Sequence, residues 1–267
     1  MINVSRKIPV NGPGFPVLGR ADVWQGLVMK ANNALPFVPA MTYCEVTERL
    51  NEHSFIRQIE FRGERCHEKI TLTPQELVLF ERLDGSVLGN IRNTIEEDAD
   101  GLGLRFSFSL SLAGIADGSV EEQEYAKIVE KDYLKAVDAT LGAIRKMKQE
   151  RTDLIQKYYA AVDNMRMDDF KAMHTKTASV QFSNFPAAEG IDAVAGAIGH
   201  FWSSIAGLKH NFINRWDTTD ETILEAAIDY TRHDGKVVRL PCVTIMKPEG
   251  DKVANLRVFI DTAPIYA

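Results

Sequence analysis

The sequence is short of several things, and each shortage removes a class of function. Cysteine occurs three times in 267 residues, as Cys44, Cys66 and Cys242. The odd count, wide spacing and apolar neighbours, with no second Cys or His at zinc-ligand intervals, read as buried free thiols in a reducing compartment. No metal and no cofactor is expected. The glycine-rich stretch 11–19 lacks the Gly-Lys-Ser/Thr ending of a phosphate loop and follows too short a hydrophobic strand, and a nucleophile elbow is missing. No run approaches the ~18 consecutive apolar residues of a membrane span. Residues 1–19 are too broken by Pro and Gly for a signal-peptide core, so the chain is expected to stay where it is made, in the cytoplasm. Basic stripes are missing too. With a formal charge of −6, neither nucleic acid nor an anionic membrane is expected as a partner.

What is present is the make-up of a soluble globular protein, 45% hydrophobic and 25% charged, with length enough for two domains. The pattern predicts an α+β fold throughout. Residues 1–149 read as a short entry strand (7–10), a helix (20–31) ended by Pro36 and Pro39, then antiparallel strands over 42–112 separated by turn signals such as Arg62-Gly63 and Asp84-Gly85. Leu104, Phe106, Phe108, Leu110 and Leu112 alternate with Arg105, Ser107, Ser109 and Ser111, giving one buried and one wet face. Ser119 and Glu122 form a capping box before a long helix to residue 148, with Tyr125, Ile128, Val129, Tyr133, Val137, Leu141, Ile144 and Met147 on one face. A twisted sheet wrapped on that helix is an N-terminal helix-grip. Residues 149–152 read as a short charged linker, with the helices on either side of it expected to be nearly continuous. Residues 150–267 then give helices at 153–164 and 168–174, a strand, a helix at 190–205 with Gly207 as its cap, and four long strands, the pattern of a C-terminal cone-shaped α+β barrel.

In the first half, Val10-Asn11, the helix Asp22-Val23-Trp24-Gln25-Gly26-Leu27, the segment Pro36-Phe37-Val38-Pro39-Ala40 and residues 87–90 resemble the AtaL-like branch of the START-like (SRPBCC) superfamily. The resemblance implies a cavity for a hydrophobic ligand. In the second half, Tyr158-Tyr159-Ala160-Ala161 through Asp169, His210-Asn211-Phe212-Ile213 and the ending Leu256 through Pro264 resemble the SnoaL-like polyketide-cyclase group of the ketosteroid-isomerase-like cones. Such folds carry isomerases, dehydratases, cyclases and plain binding modules, so the site must decide the function. The superfamily's habit of pairing through the outer sheet face makes a homodimer through the cone domain a further expectation.

Strand phase puts His210, Phe212, Asn214 and Trp216 on one face, expected to line the cone. The resemblance to the scytalone dehydratases among these relatives puts Asp163 and His233 beside His210, although Val162 and Phe182 stand where those enzymes have tyrosines. A resemblance to ketosteroid isomerases makes Tyr158 an oxyanion donor, although Phe182 replaces their base. An imidazole held by a carboxylate suits proton transfer from carbon. Competing readings are structural: His233 sits beside Asp234-Gly235 in a hairpin turn, and Asp163 can simply end its helix. Trp202, Phe212, Trp216 and Phe182 are read as cavity wall. In the first half Glu68 and Glu81 fall on apolar strand phases and need cations, with Arg57 and Arg92 the candidates. They read either as an ion pair on a wet face or as a polar cluster that orients a ligand. Two functions follow: a cofactor-free cyclase, isomerase or dehydratase acting on a polyketide-like or other oxygenated hydrophobic small molecule, or a non-catalytic carrier of one.

Overall fold

The computed structural model describes residues 1–116 and 118–267, and the side chains of Val129 and Tyr133 lie outside the described set, so those two predicted helix-face positions carry no structural statement. The chain divides into two units, Met1–Gln149 and Glu150–Ala267, each mixing helix with antiparallel sheet. Among the described residues no helix is long and apolar enough to cross a membrane.

The first unit holds strands β1 (Ile2–Pro9), β2 (Met41–Asn51), β3 (Ser54–Phe61), β4 (Glu64–Thr73), β5 (Leu77–Arg82), β6 (Val87–Asp98) and β7 (Gly101–Leu112), with helix α1 (Arg20–Asn32) and most of helix α2 (Val120–Asp163). Its seven strands make one antiparallel sheet in the order β1-β7-β6-β5-β4-β3-β2. β1 is longer than the entry strand read from sequence, because its polar first half, Asn3 and Ser5, is held in register against Ser109 and Ser107 of β7. Tertiary pairing overrides a sequence that looks like a loop.

On the sheet's inner face Phe55, Ile70, Val78, Phe80, Phe106 and Leu104 form one buried cluster with Val23 and Leu27 of α1 and Val137, Leu141 and Ile144 of α2. The α2 residues are spaced four and three apart, one stripe of a helix. At the start of α2 the Glu122 amide donates to Ser119 Oγ at 3.2 Å, while the Glu122 carboxylate accepts from the amide of Gly118 at 2.6 Å. The box is thus displaced by one residue at its acidic end. Residues 149–152, read as a linker, are helical within α2; Gln149, Glu150 and Arg151 are good helix formers, and nothing there breaks the backbone ladder.

Gly26 sits where α1 meets α2: a Cβ built there would lie 2.2 Å from Cγ1 of buried Ile144. Contact at that distance is impossible, so one helix must move back if the side chain grows. Gly26→Ala is expected to lower stability by ~1–3 kcal/mol despite alanine's better helix propensity, and Gly26→Ala combined with Ile144→Ala, which removes the clashing Cγ1, to cost less than the sum of the two single changes, all read as shifts in urea midpoint.

The second unit holds the last part of α2, α3 (Met167–Ala172), β8 (His174–Phe182), β9 (Ala188–Glu189), α4 (Ile191–Ser203), β10 (Gly207–Asp217), β11 (Thr222–Thr231), β12 (Val237–Glu249) and β13 (Lys252–Phe259). The sheet order is β10-β11-β12-β13-β8-β9, antiparallel except for the parallel pair β13 and β8. α4 ends at Ser203, and Gly207 is the first residue of β10 and not a helix cap. α2 ends at Asp163 because Met165 turns to a left-handed φ of 51° and the amides of Met165 and Arg166 close back on Val162 and Ala161. One contiguous core joins the inner face of the sheet to Ile155, Tyr158, Tyr159, Phe170, Val194, Ile198 and Trp202.

Candidate functional site

In the second unit β10 carries His210, and its inward phase is set by pairing with β11. Leu208, His210 and Phe212 oppose Tyr230, Ile228 and Ala226, all buried. The register then slips between Phe212 and Asn214, so that Arg215 and Asp217 oppose the buried Leu224 and Thr222. One extra residue in a strand reverses every later side chain. The bulge therefore corrects the reading of Trp216 as cavity wall: it lies on the outer face and is 51% exposed. Phe212 is also exposed, and its ring packs on Tyr159 at 4.8 Å and on His210 at 5.9 Å, outside the set of residues that lines the cavity at His210.

His210 Nδ1 lies 2.5 Å from Asp163 Oδ1, and the His210 backbone N–H lies 3.2 Å from each oxygen of the same carboxylate. Asp163 accepts, so Nδ1 carries the proton and Nε2 is left to exchange one. Asp163 is the last residue of α2, the helix end where a carboxylate opposes the backbone dipole. Its hydrogen bonds to His210 offset that disfavoured position.

Around the imidazole the structure brings together aromatic groups. Tyr158, Tyr159, Phe182, Trp202, Thr244 and His210 share one small cavity of about 50 Å³. Tyr159, which sequence reasoning passed over, is the direct ring neighbour of His210 at 4.6 Å. It precedes Asp163 by four residues, ~40° around the helix, whereas Tyr158 is five away. Tyr158 packs instead against His174 and Phe170, at 5.4 and 5.9 Å. Burial pushes both tyrosine hydroxyls up, that of Tyr159 against an opposing hydrogen bond from Thr244, so both stay protonated donors at neutral pH. His174 is buried, donates Nδ1–H to Phe170 O at 2.8 Å and is held toward the neutral form by desolvation.

His233 does not join this group. It lies exposed in the β11–β12 turn, its Nε2 3.1 Å from Ser203 O at the end of α4. Asp234-Gly235 makes the turn tight, which carries the ring to the surface. The cup is thus nearly filled by side chains. A second, larger cavity of about 350 Å³ shares the walls Phe182, Ile198 and Phe201 with it and opens toward Phe185, His200, Thr262 and Tyr266.

The first unit has the roomier interior, about 400 Å³, lined by Lys30, Val38, Arg57, Phe80, Ile91 and Asn93 among others. Its floor is a row in register across three strands, Arg57 on β3, Glu68 on β4 and Arg82 on β5. Arg57 donates Nε and Nη2 to Glu68 Oε2 at 2.9 and 2.7 Å and Nη1 to the carbonyls of Lys30 and Ala31, both at 2.9 Å; Arg82 Nε stands 3.5 Å from Glu68 Oε1. Glu81 and Arg92 are corrected: both lie on the outer face. Glu81 pairs loosely with Lys69 at 3.8 Å, and Arg92 is exposed opposite Ser107. β5 is apolar on both faces, Leu77 and Leu79 outward and Val78 and Phe80 inward, so alternation alone could not choose the phase of Glu81.

Lys30 was also missed, though it sits three residues past Leu27 and seven past Val23, on the apolar stripe of α1. Its Nζ is 3.1 Å from Asn93 Oδ1 and lies over the rings of Phe106 and Phe80, at 5.3 and 5.9 Å. Burial first, then the Arg57 charge, lowers the amine to about 7, with Glu68 opposing. Among the described residues no group of three or more His, Cys, Asp or Glu is placed to hold a metal ion.

Residues 4–151, more than half of the chain, match the family described as acetylaranotin biosynthesis cluster protein L, AtaL. The chain belongs to the AtaL family. Residues 155–256 match the SnoaL-like domain, so this AtaL-family chain has a two-domain arrangement whose second part is SnoaL-like. No curated relative matches it. Among solved structures it is similar to a protein from Jannaschia sp. CCS1 described as a SnoaL-like polyketide cyclase by resemblance, at 16% identity over 44% of this chain and 90% of that one, TM-score 0.40. An NTF2-like protein from Burkholderia pseudomallei K96243 gives 15%, 43%, 94% and 0.40, and an LEH-like epoxide hydrolase from M. tuberculosis 11%, 44%, 87% and 0.39, in the same order.

A lysine amine held near 7 in the fold against 10.5 when unfolded costs stability at every pH below 7, and the cost fades as pH rises from 7 to 10.5, where the unfolded chain still binds the proton and the fold does not. Lys30→Met is therefore expected to be more stable than the parent at pH 6, by up to about 5 kcal/mol, with the gap narrowing steadily toward pH 10. Denaturant titrations of both proteins across that range check the sign and the window.

Proposed function

We propose that this protein is a cofactor-independent enzyme of the cyclase, isomerase or dehydratase type, acting on an oxygenated hydrophobic small molecule of polyketide-like character. The observation that carries the reading is the 2.5 Å contact of Asp163 with His210 Nδ1 at the edge of an apolar cavity. Asp163 fixes the tautomer and steadies the imidazolium, and His210 Nε2 takes a proton from a carbon next to a carbonyl and returns it elsewhere. Tyr159 and Tyr158, both protonated, are the donors at hand for the enolate oxygen that forms. Phe182 and Trp202 exclude water around the reacting carbon. In the first unit, the inner sheet face packed on 137–144 of α2 supports its reading as a START/SRPBCC-type helix-grip cup that holds a ligand. The match to a SnoaL-like domain supports the same class of chemistry in the second unit.

A second reading, a carrier with no bond changed, is favoured by one contrast: the cavity at His210 is about 50 Å³ while that of the first unit is about 400 Å³, and sites for small molecules run from about 300 Å³ upward. The two readings part in one experiment. Hydrogen–deuterium exchange at the acidic carbon of 2-tetralone, a bicyclic ketone, is expected to be accelerated by the parent protein and to fall by ~10²–10⁴ in His210→Ala, with circular dichroism unchanged. Asp163→Asn is expected to retain the fold and lose most of the rate. Exchange no faster than in buffer, or equal in parent and His210→Ala, would leave the carrier reading in place.

A further inference from the structure

We propose that the cavity of the first unit binds a hydrophobic small molecule through an acidic oxygen, a carboxylate or an enolate, which the Lys30 amine and the Asn93 amide receive at the cavity floor. The inference does not rest on the chemistry at His210.

Charge is the first argument. Among the described residues the cavity is lined by five cationic side chains, Lys30, Arg57, Arg62, Arg82 and Lys135, against one acid, Asp132, in a chain whose formal charge is −6. Asp132 is ion-paired with Arg62. Arg57 and Arg82 share the single carboxylate of Glu68, which stands behind them. The floor therefore holds more positive than negative charge even before Lys30 is protonated. In a low-dielectric pocket that surplus attracts an anion far more strongly than it would at a surface.

Unused donors are the second. Lys30 gives one hydrogen bond, to Asn93 Oδ1, and otherwise faces aromatic rings. Asn93 is fully buried, and among the described residues its Nδ2 has no hydrogen-bond partner. A buried donor without an acceptor is costly, ~1–3 kcal/mol in general, and two such donors side by side at the floor of a cavity suit an oxygen from a ligand. The walls, Val38, Pro39, Phe61, Phe80 and Ile91, call for an apolar body on that oxygen, and about 400 Å³ is room for a two- or three-ring molecule.

Proton linkage follows from the neighbours of the amine. Arg57 on β3, Arg82 on β5, Arg62 at the β3–β4 turn and Lys135 on α2 oppose its charge, Glu68 on β4 and Asp132 on α2 favour it, and Asn93 on β6 is neutral. An arriving anion adds to the favouring side, so Lys30, near 7 in the fold, takes up a proton as the ligand binds.

The test is isothermal titration calorimetry of the full chain at pH 7.5 with 2-naphthoic acid and its neutral isostere 2-naphthamide, each in buffers of different ionisation enthalpy. The acid is expected to bind ~10-fold or more tightly than the amide, with uptake of roughly half a proton. Lys30→Met is expected to bind the amide as the parent does while losing both the preference and the uptake. Should that variant fail to fold, Lys30→Arg keeps the cation without its titration and is expected to retain the preference and lose the uptake. Equal affinities for acid and amide in the parent, no binding of either, or a preference and uptake that survive Lys30→Met, or an uptake that survives Lys30→Arg, would overturn the proposal.

Discussion

A charge taken out of water must be met by a partner, and each unit arranges its interior around one such meeting. In the first, Arg57 and Glu68 face each other across adjacent strands and are both about 2% exposed. Removing either partner of a pair this deep strands the other, at a general cost of 3–5 kcal/mol, so the sheet must keep its register at that row. Arg57 also ties β3 to α1 through the carbonyls of Lys30 and Ala31. That link sets Lys30 over the cavity. In the second unit Asp163 and His210 join the end of α2 to the first part of β10, just before the chain leaves the helix at the left-handed Met165.

The two interiors differ in what fills them. Around His210 the space is taken by aromatic rings, Tyr158, Tyr159, Phe170, Trp202, Phe201 and Tyr230, packed edge-on or tilted on one another at 4.4–5.9 Å counting the neighbouring imidazoles. Such packing holds an imidazole firmly and keeps it dry. The first unit leaves its space open, with charged and polar side chains at the floor and apolar residues on the walls. Fixed polar groups at the bottom of an apolar cup are the usual plan of a small-molecule site.

Phase along a strand was legible wherever one face was apolar and the other polar. From Leu104 to Leu112 β7 alternates without exception, and its buried members there are those that the alternation selects. On β5 and β10 it failed, for two different reasons. β5 has apolar residues on both faces, which hides the side on which Glu81 and Arg82 lie. On β10 the phase set by Leu208, His210 and Phe212 is reversed by the bulge at Ile213, which sends Trp216 outward; the bulge arises from the match to β11.

The sequence by itself determined the two-part α+β plan, the helix and strand periods and the family likeness of each half, because these depend on local periodicity and on short motifs along the chain. Lys30 was within its reach as well, a cation on the apolar stripe of an otherwise ordinary helix. What only the tertiary structure decided is which side chains meet. Glu68 has Arg57 and Arg82 because three strands align in register, His210 has Tyr159 because helical rotation turns that residue, and not its neighbour, toward Asp163, and the size of each cavity follows from how far side chains from distant elements fill it. Contacts between residues tens of positions apart are set by packing, and packing has no period to be read along a chain.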